Sequence, residues 1–138
     1  KNIVIKYYEI IIKIIVFISR KDKKIKKESI LNFYNMKNYI VSKPHFSVIS
    51  NYYIIKEILD KKYNGYSIKK DLCIILINKM ENYLINLIND SYNLTLTDNK
   101  KRIRNKDINV IKNYLYENNE KLYYTKLLDF SNKKPLFI

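Results

Sequence analysis

The sequence predicts an all-α protein in which a long central helix is flanked by shorter ones. Apolar residues recur at helical spacing along most of the 138 residues, and no sustained alternation with a period of two residues indicates a strand. Helix breakers are also rare, because proline occurs only at Pro44 and Pro135 and glycine only at Gly65.

The first predicted helix is an apolar run from Ile3 to Ser19. Its charged residues Lys6, Glu9 and Lys13 are spaced three and four apart and therefore share one helical stripe, which predicts a helix buried on its other sides. A membrane-spanning helix needs about 20 predominantly apolar residues, and this run is shorter. No small-residue cleavage site follows it, so we expect neither a membrane anchor nor a signal peptide.

The remaining elements follow in order along the chain. We expect helices over residues 28–38, 47–62, 70–97 and 105–115, with a linker at 41–46. Asn64-Gly65 suits the end of the second of these helices, and Asn105 suits the N-cap of the last. At about 1.5 Å per residue, the segment 70–97 spans roughly 40 Å. A helix of that length extends beyond its short neighbours, which predicts a partner chain or a second copy.

Two basic loops are copies of one motif, 78 positions apart. They are Lys23-Lys24-Ile25-Lys26-Lys27-Glu28-Ser29-Ile30 and Lys101-Arg102-Ile103-Arg104-Asn105-Lys106-Asp107-Ile108. In each loop one isoleucine, Ile25 or Ile103, is expected to anchor the chain to a core while the basic residues face an anion. The three arginines, Arg20, Arg102 and Arg104, all lie in or beside these loops, which favours phosphate contacts.

The composition agrees with a folded protein that binds a polyanion. The net charge is +14, from 27 basic and 13 acidic side chains, and this excess favours a partner such as nucleic acid. The hydrophobic fraction of 47% is too high for a disordered basic tail.

We expect no catalytic residue, metal, cofactor or small-molecule substrate. Cys73 is the single cysteine and lies in an apolar run, so it is predicted to be a small buried side chain. His45 is the single histidine and follows a proline, which favours a loop or helix-entry position over a role as a catalytic base. A Ser/His/Asp set and a glycine-rich phosphate loop are both missing from the sequence.

Residues 50–113 resemble core histone three and can be laid on it without a gap. Lys56-Glu57-Ile58 is similar to that family's Arg-Glu-Ile in the first helix, and Glu81-Asn82-Tyr83-Leu84 to its Glu-x-Tyr-Leu in the long helix. Lys106-Asp107-Ile108 matches the Lys-Asp-Ile that opens the last helix, and Leu87 and Asp90 keep their places. The resemblance implies a histone fold, with the order short helix, long helix, short helix.

Residues 5–35 resemble the second half of histone four: the end of its long helix, its basic loop and its last helix. The two resemblances together imply the fused histone doublets of large DNA viruses. Residues 1–40 would then end a first fold whose start is expected upstream, 41–46 would link the folds, 47–115 would form a complete second fold, and 116–138 would be an extension. Alternatively, residues 28–38 are the extra N-terminal helix of a single histone-three-like protein.

The resemblance implies binding to double-stranded DNA and to other histone-fold chains, without a membrane partner. The location would be chromatin, in a nucleus, a viral factory or the interior of a virion, and not a secreted form. Basic loops from two folds would lie side by side and hold successive phosphates. The expected DNA-binding residues are Lys21, Lys23, Lys24, Lys26, Lys56, Lys100, Lys101, Arg102 and Arg104.

Three positions modify this expectation. Asp22 interrupts the first basic cluster and should weaken it. Ser67 stands where the family inserts an arginine into the minor groove, so that contact is not expected here. Lys100 replaces the family's arginine that pairs with the aspartate matching Asp107, so a Lys100–Asp107 pair is predicted to brace the second loop.

Two other functions also fit the sequence. One is a ribosomal or organellar RNA-binding helical protein from an AT-rich genome, which would bind structured RNA without protecting a defined length of DNA. The other is a histone-fold dimerisation subunit of a transcription or kinetochore complex. Its partner binding would survive neutralisation of both basic loops.

Overall fold

The computed structural model describes residues 2–19, 22–39, 42–114 and 121. Within these ranges the protein is all-α, with one pair of two-residue strands, and a long helix is flanked by shorter ones, as predicted. The elements are α1 (Asn2–Ser19), β1 (Lys24–Ile25), α2 (Lys27–Phe33), α3 (Val48–Lys62), β2 (Ser67–Ile68) and α4 (Lys70–Thr97), followed by helical residues 105–114, here called α5.

One hydrophobic core joins the two halves of the chain. It contains buried side chains of α1, β1, α2, α3, β2 and the first half of α4, so both predicted histone-like segments contribute to it. Tyr8, Ile12, Ile14 and Ile15 of α1 are almost completely buried. The helix is therefore enclosed on most sides, as its sequence predicts. Among its described side chains, Ile5, Lys6 and Lys13 are exposed and Glu9 is half-buried.

A buried hydrogen-bond chain fixes α1 against α3. The Tyr8 hydroxyl donates to Asn51 Oδ1 at 2.9 Å, and Asn51 Nδ2 donates to the Ser47 carbonyl at 2.8 Å. Ser47 is also the N-cap of α3, where its hydroxyl accepts from the Ser50 amide at 3.1 Å. At the other end of α3, Lys62 pairs with Glu9 at 2.7 Å. Helix α3 is thus held near both of its ends by two neighbouring residues in the middle of α1, Tyr8 and Glu9.

Two buried or half-buried polar side chains of α4 hold the segment that joins α2 to α3. Asn78 Nδ2 donates to the Ser42 carbonyl at 2.8 Å and to the Tyr39 hydroxyl at 2.6 Å. Glu81, which is buried, accepts the Phe46 amide and lies 3.6 Å from Nδ1 of the exposed His45. The predicted loop position of His45 is confirmed.

Helix α2 ends earlier than the predicted boundary at residue 38. Its last helical residue is Phe33, because Asn35 takes a left-handed conformation with φ 56°. The Met36 amide then donates to the Leu31 carbonyl and the Asn35 amide to the Asn32 carbonyl, which is the Schellman arrangement that closes a helix. An asparagine can supply this conformation locally, and the apolar spacing beyond it does not reveal the stop.

Helix α4 follows its predicted bounds of 70–97 and ends in the same way, with Asn99 at φ 59°. Its first half is buried among α1, α3 and the strands, whereas Ile85, Ile88, Tyr92 and Leu96 of its second half are exposed. The predicted excess length is therefore real. None of the described helices combines the length and hydropathy needed to cross a bilayer.

Asn105 was predicted to be the N-cap of helix α5. This helix already begins at Asn105, so its N-cap residue is Arg104. The Arg104 carbonyl accepts the amides of Asp107 and Ile108 at 3.0 and 3.1 Å. The predicted extension at 116–138 lies outside the described residues.

The hydrogen-bond chain of Tyr8 predicts a measurable contribution to stability. In Tyr8→Phe the buried Asn51 Oδ1 loses its donor, and leaving such an acceptor unpaired costs about 1 to 2 kcal/mol. We expect urea unfolding to report a loss of this size. Tyr53→Phe is the matched control, because it removes the same hydroxyl group from a tyrosine that is 61% exposed. Equal stability of the two variants would contradict the prediction.

Candidate nucleic-acid interface

The first basic loop is fixed by a parallel strand pair. Lys24 lies opposite Ser67 and Ile25 opposite Ile68, and the Ser67 amide donates to the Lys23 carbonyl at 2.8 Å. Ile25 is 2% exposed, so its predicted anchor role is confirmed. Because side chains alternate along a strand, burial of Ile25 turns the lysines on either side of it towards solvent.

Each strand of this pair continues directly into a helix through the same four-residue pattern. Ile25-Lys26-Lys27-Glu28 leads into α2, and Ile68-Lys69-Lys70-Asp71 leads into α4. The N-cap residues are Lys26 and Lys69, both in extended backbone, and no side chain caps either helix. A lysine cannot accept hydrogen bonds, so backbone amides of the first helical turns have no side-chain acceptor there.

The second occurrence of this pattern was not predicted, although the sequence carries its signal as Ile-Lys-Lys followed by an acid. It is shorter than the two basic motifs at 23–30 and 101–108. Lys27, Lys69 and Lys70 are therefore additional basic residues of the first loop region, and all three are exposed.

An open groove of about 490 Å³ runs beside the strand pair. Four lysines and two carboxylates line it together with apolar side chains of the core, and the charged residues are Lys24, Lys26, Lys27, Glu28, Lys69 and Asp71. Lys26 is paired with Asp22 at 2.9 Å, in line with the expectation that Asp22 weakens this cluster. The Lys23 ammonium lies 4.9 Å from the centre of the Tyr66 ring. The excess positive charge of the groove suits an anion.

The second basic loop is braced by Arg104, and the predicted Lys100–Asp107 pair is wrong. Asp107 is 2% exposed and accepts from Arg104 Nε at 2.8 Å, from Arg104 Nη2 at 3.0 Å and from the Thr95 hydroxyl at 2.7 Å. Arg104 also pairs with Asp98. Lys100 is exposed instead. The planar guanidinium can bridge two carboxylates at once, which a lysine ammonium does less rigidly.

These contacts shift the pKa values of both Asp107 and Arg104. The Arg104 guanidinium, followed by the Thr95 hydroxyl, holds the pKa of Asp107 below its usual range. The carboxylates of Asp107 and Asp98 in turn raise the pKa of Arg104. Arg104 is therefore occupied within the chain and is a structural residue of the loop, in contrast to its predicted role as a phosphate clamp.

The two basic loops do not lie side by side in this chain, contrary to expectation. The first lies beside β2 and the start of α4, whereas the second follows the end of α4. A helix of 28 residues separates them, which corresponds to about 42 Å at the usual rise per residue. Ile103, the predicted second anchor, is 37% exposed, because no strand pairs with it within the described residues.

Four other predicted DNA-binding residues are on the surface. Lys100, Lys101 and Arg102 are exposed on the second loop, and Lys56 is exposed on α3. Lys21 and Arg20 lie outside the described residues. Among the described residues, no group of three or more His, Cys, Asp or Glu side chains is arranged to hold a metal ion. Cys73 is a buried thiol whose pKa is raised by burial to about 12.

No protein-family model, curated protein or solved structure matches the chain.

The brace of the second loop predicts an acid-sensitive contribution to stability. A carboxyl group with a lowered pKa in the folded state stabilises the fold above its unfolded-state pKa of about 4, and this contribution disappears as the pH falls through the folded-state value. In Arg104→Ala we expect the pKa of Asp107 to rise and acid unfolding to begin at a higher pH. Carboxyl carbon NMR and circular dichroism would measure the two shifts.

Arg102→Ala is the matched control for this measurement. It removes an arginine from the same loop, but Arg102 is exposed and is not the partner of Asp107. Indistinguishable acid transitions of the two variants would rule out the brace.

Proposed function

We propose that the chain is a DNA-packaging subunit of the histone-doublet type, which binds double-stranded DNA through phosphate contacts of its basic loops and assembles with other histone-fold chains. The proposal rests on the resemblances at 5–35 and 50–113 and on the charge of +14. Chromatin in a nucleus, a viral factory or a virion interior is the location that this function requires.

The parallel pairing of the first basic loop with residues 67–68 is the observation that carries the proposal. Under the doublet organisation, this is a contact between the basic loop of one fold and the first loop of the next. Two chain segments with the same Ile-Lys-Lys-acid pattern are thereby brought to one edge of the protein. Lysines from both segments can then reach phosphates of the same stretch of DNA backbone.

The described contacts also indicate which residues are free to bind phosphate. Lys24, Lys27 and Lys69 line the groove and form no ion pair with a carboxylate of the described residues, whereas Lys26 already has Asp22 as its partner. The first-turn amides of α4 lie at the same edge, and the helix dipole favours an anion there. Such binding depends on phosphate charge and DNA bendability, so it is expected to be nearly independent of base sequence.

The exposed residues Lys100, Lys101 and Arg102 supply a second contact region at the far end of α4. The length of this helix separates the two regions by about 42 Å. A DNA segment that reaches both must follow the length of the protein, which suits wrapping better than a contact at one point.

Neutralising the first loop region should weaken DNA binding in a salt-dependent way. The plot of log K against log salt concentration has a negative slope. For the triple variant Lys24→Ala, Lys27→Ala and Lys69→Ala we expect this slope to become shallower by about 2 to 3, because each phosphate contact contributes about 0.9 to its magnitude. Fluorescence anisotropy with two unrelated duplexes of equal length would measure the slope and the dependence on sequence.

The control is Lys37→Ala, Lys43→Ala and Lys112→Ala, which removes the same charge from exposed positions outside both loops. A similar loss of slope in both triple variants would mean that only the net charge matters, and the proposed interface would be wrong.

Reconstitution with core histones and DNA should protect a discrete DNA length from micrococcal nuclease. We expect the protected band to weaken in a variant with Lys100→Ala, Lys101→Ala and Arg102→Ala, since these side chains are exposed and the Arg104 brace remains intact. A continuous smear with the unaltered chain would contradict DNA packaging. Protection of structured RNA without a defined DNA fragment would favour the RNA-binding alternative.

A further inference from the structure

Four large apolar side chains are exposed along the second half of α4. They are Ile85, Ile88, Tyr92 and Leu96, here called the distal row, and each is between 44% and 57% exposed. Because they are spaced three and four residues apart, they lie along a single face of the helix. An apolar row of this size on the surface of a charged protein is typical of a face that another segment covers.

Helix α5 is fixed beside the distal row. Asp107 of α5 accepts from the Thr95 hydroxyl at 2.7 Å, and both Ser91 and Thr95 are fully buried. Ser91 directly precedes Tyr92 and Thr95 directly precedes Leu96, so the contact with α5 lies at the side of the distal row. The residues that follow α5 therefore start close to this row.

The sequence after α5 carries an apolar row of its own. Tyr116, Tyr123, Leu127 and Phe130 are spaced seven, four and three residues apart, which places them within about 60° of one another around a helix. Among residues 116–138 the structure describes only Lys121, which is helical and exposed. Lys121 lies roughly 160° from Tyr123 around such a helix, on its polar side. As a helix, the segment 116–130 is amphipathic.

We propose that residues 116–130 fold back onto the distal row as an amphipathic helix and cover it in the free chain. The distal row extends about 16 Å from Ile85 to Leu96, and the segment reaches about 21 Å as a helix, so its length is sufficient. Attachment through α5 gives the segment an effective concentration on the order of millimolar at the row. This favours it over a separate polypeptide at micromolar concentration.

The charges of the segment agree with this position. Residues 116–130 contain the carboxylates of Glu117, Glu120 and Asp129 and two lysines, which gives a net charge of −1 in a chain of charge +14. Residues 100–102, which are all basic and exposed, follow the distal row in the chain and attract an acidic segment to this end of the protein. A second copy of the chain carries the same charge of +14 and is repelled.

A cover of this kind regulates assembly. A partner chain that uses the same face of α4 has to displace residues 116–130, so its apparent affinity is reduced by the fraction of chains in which the row is uncovered. This consequence rests on the proposed function, whereas the packing of the segment on the distal row does not.

Disulfide trapping in the full chain tests the inference. The pair Ile88→Cys and Leu127→Cys places one thiol on each apolar row. The matched control, Ile88→Cys with Thr125→Cys, carries its second thiol on the opposite face of the same segment. With oxidised glutathione and micromolar protein, we expect the first pair to close an intramolecular disulfide roughly tenfold faster, because only its thiols face each other. Cys73 does not compete, since burial raises the pKa of its thiol to about 12.

The fluorescence of anilinonaphthalene sulfonate, a dye that binds exposed apolar surface, gives an independent measurement. Leu127→Asp should uncover the distal row and raise the dye fluorescence about threefold, whereas Thr125→Asp should leave it unchanged. Equal disulfide rates of the two cysteine pairs would overturn the inference, as would equal dye fluorescence of the two aspartate variants. A disulfide found only between chains would assign the row to a second copy. Because DNA and partner chains are absent, failure here leaves the salt-slope test of the first loop unaffected.

Discussion

Pairing of Ile25 with Ile68 holds the two halves of the chain in register. Both side chains are directed into the core, and the backbone pairing beside them fixes where α2 and α4 begin. A shift of one residue would bury a lysine in place of Ile25, or a serine or lysine in place of Ile68, and each of these polar side chains would lose its hydration in the core. The position of every lysine around the groove thus follows from two apolar contacts.

The two copies of the basic motif differ in what holds them. The first has a strand partner and a buried isoleucine, whereas the second has an exposed isoleucine and an internal brace of Arg104, Asp107 and Thr95. In the first copy, Ser29 stands at the position equivalent to Asp107, so the carboxylate that holds Arg104 has no counterpart there. The brace keeps the second loop in shape without a neighbouring strand.

Much of the fold could be predicted from the sequence, because the bounds of α1, α3 and α4 follow from apolar spacing and from the few helix breakers. The end of α2 could not, since it depends on one asparagine in a left-handed conformation. The candidate site was predicted only in part. The exposed lysines of the basic loops could be predicted from the sequence. The ion-pair partner of Asp107 could not, because whether Lys100 or Arg104 lies within contact distance of its carboxylate depends on how the loop folds.

The single core has a consequence for synthesis of the chain. Helix α1 is complete at Ser19, but the residues that cover it extend to Met80. Synthesis proceeds at about 5 to 20 residues per second. The isoleucine-rich helix α1 is therefore exposed for several seconds before the residues that bury it have been synthesised. Contacts between residues so far apart in the chain also form late in folding. The ribosome-bound chain is therefore the stage at which this protein is most open to aggregation and to chaperones.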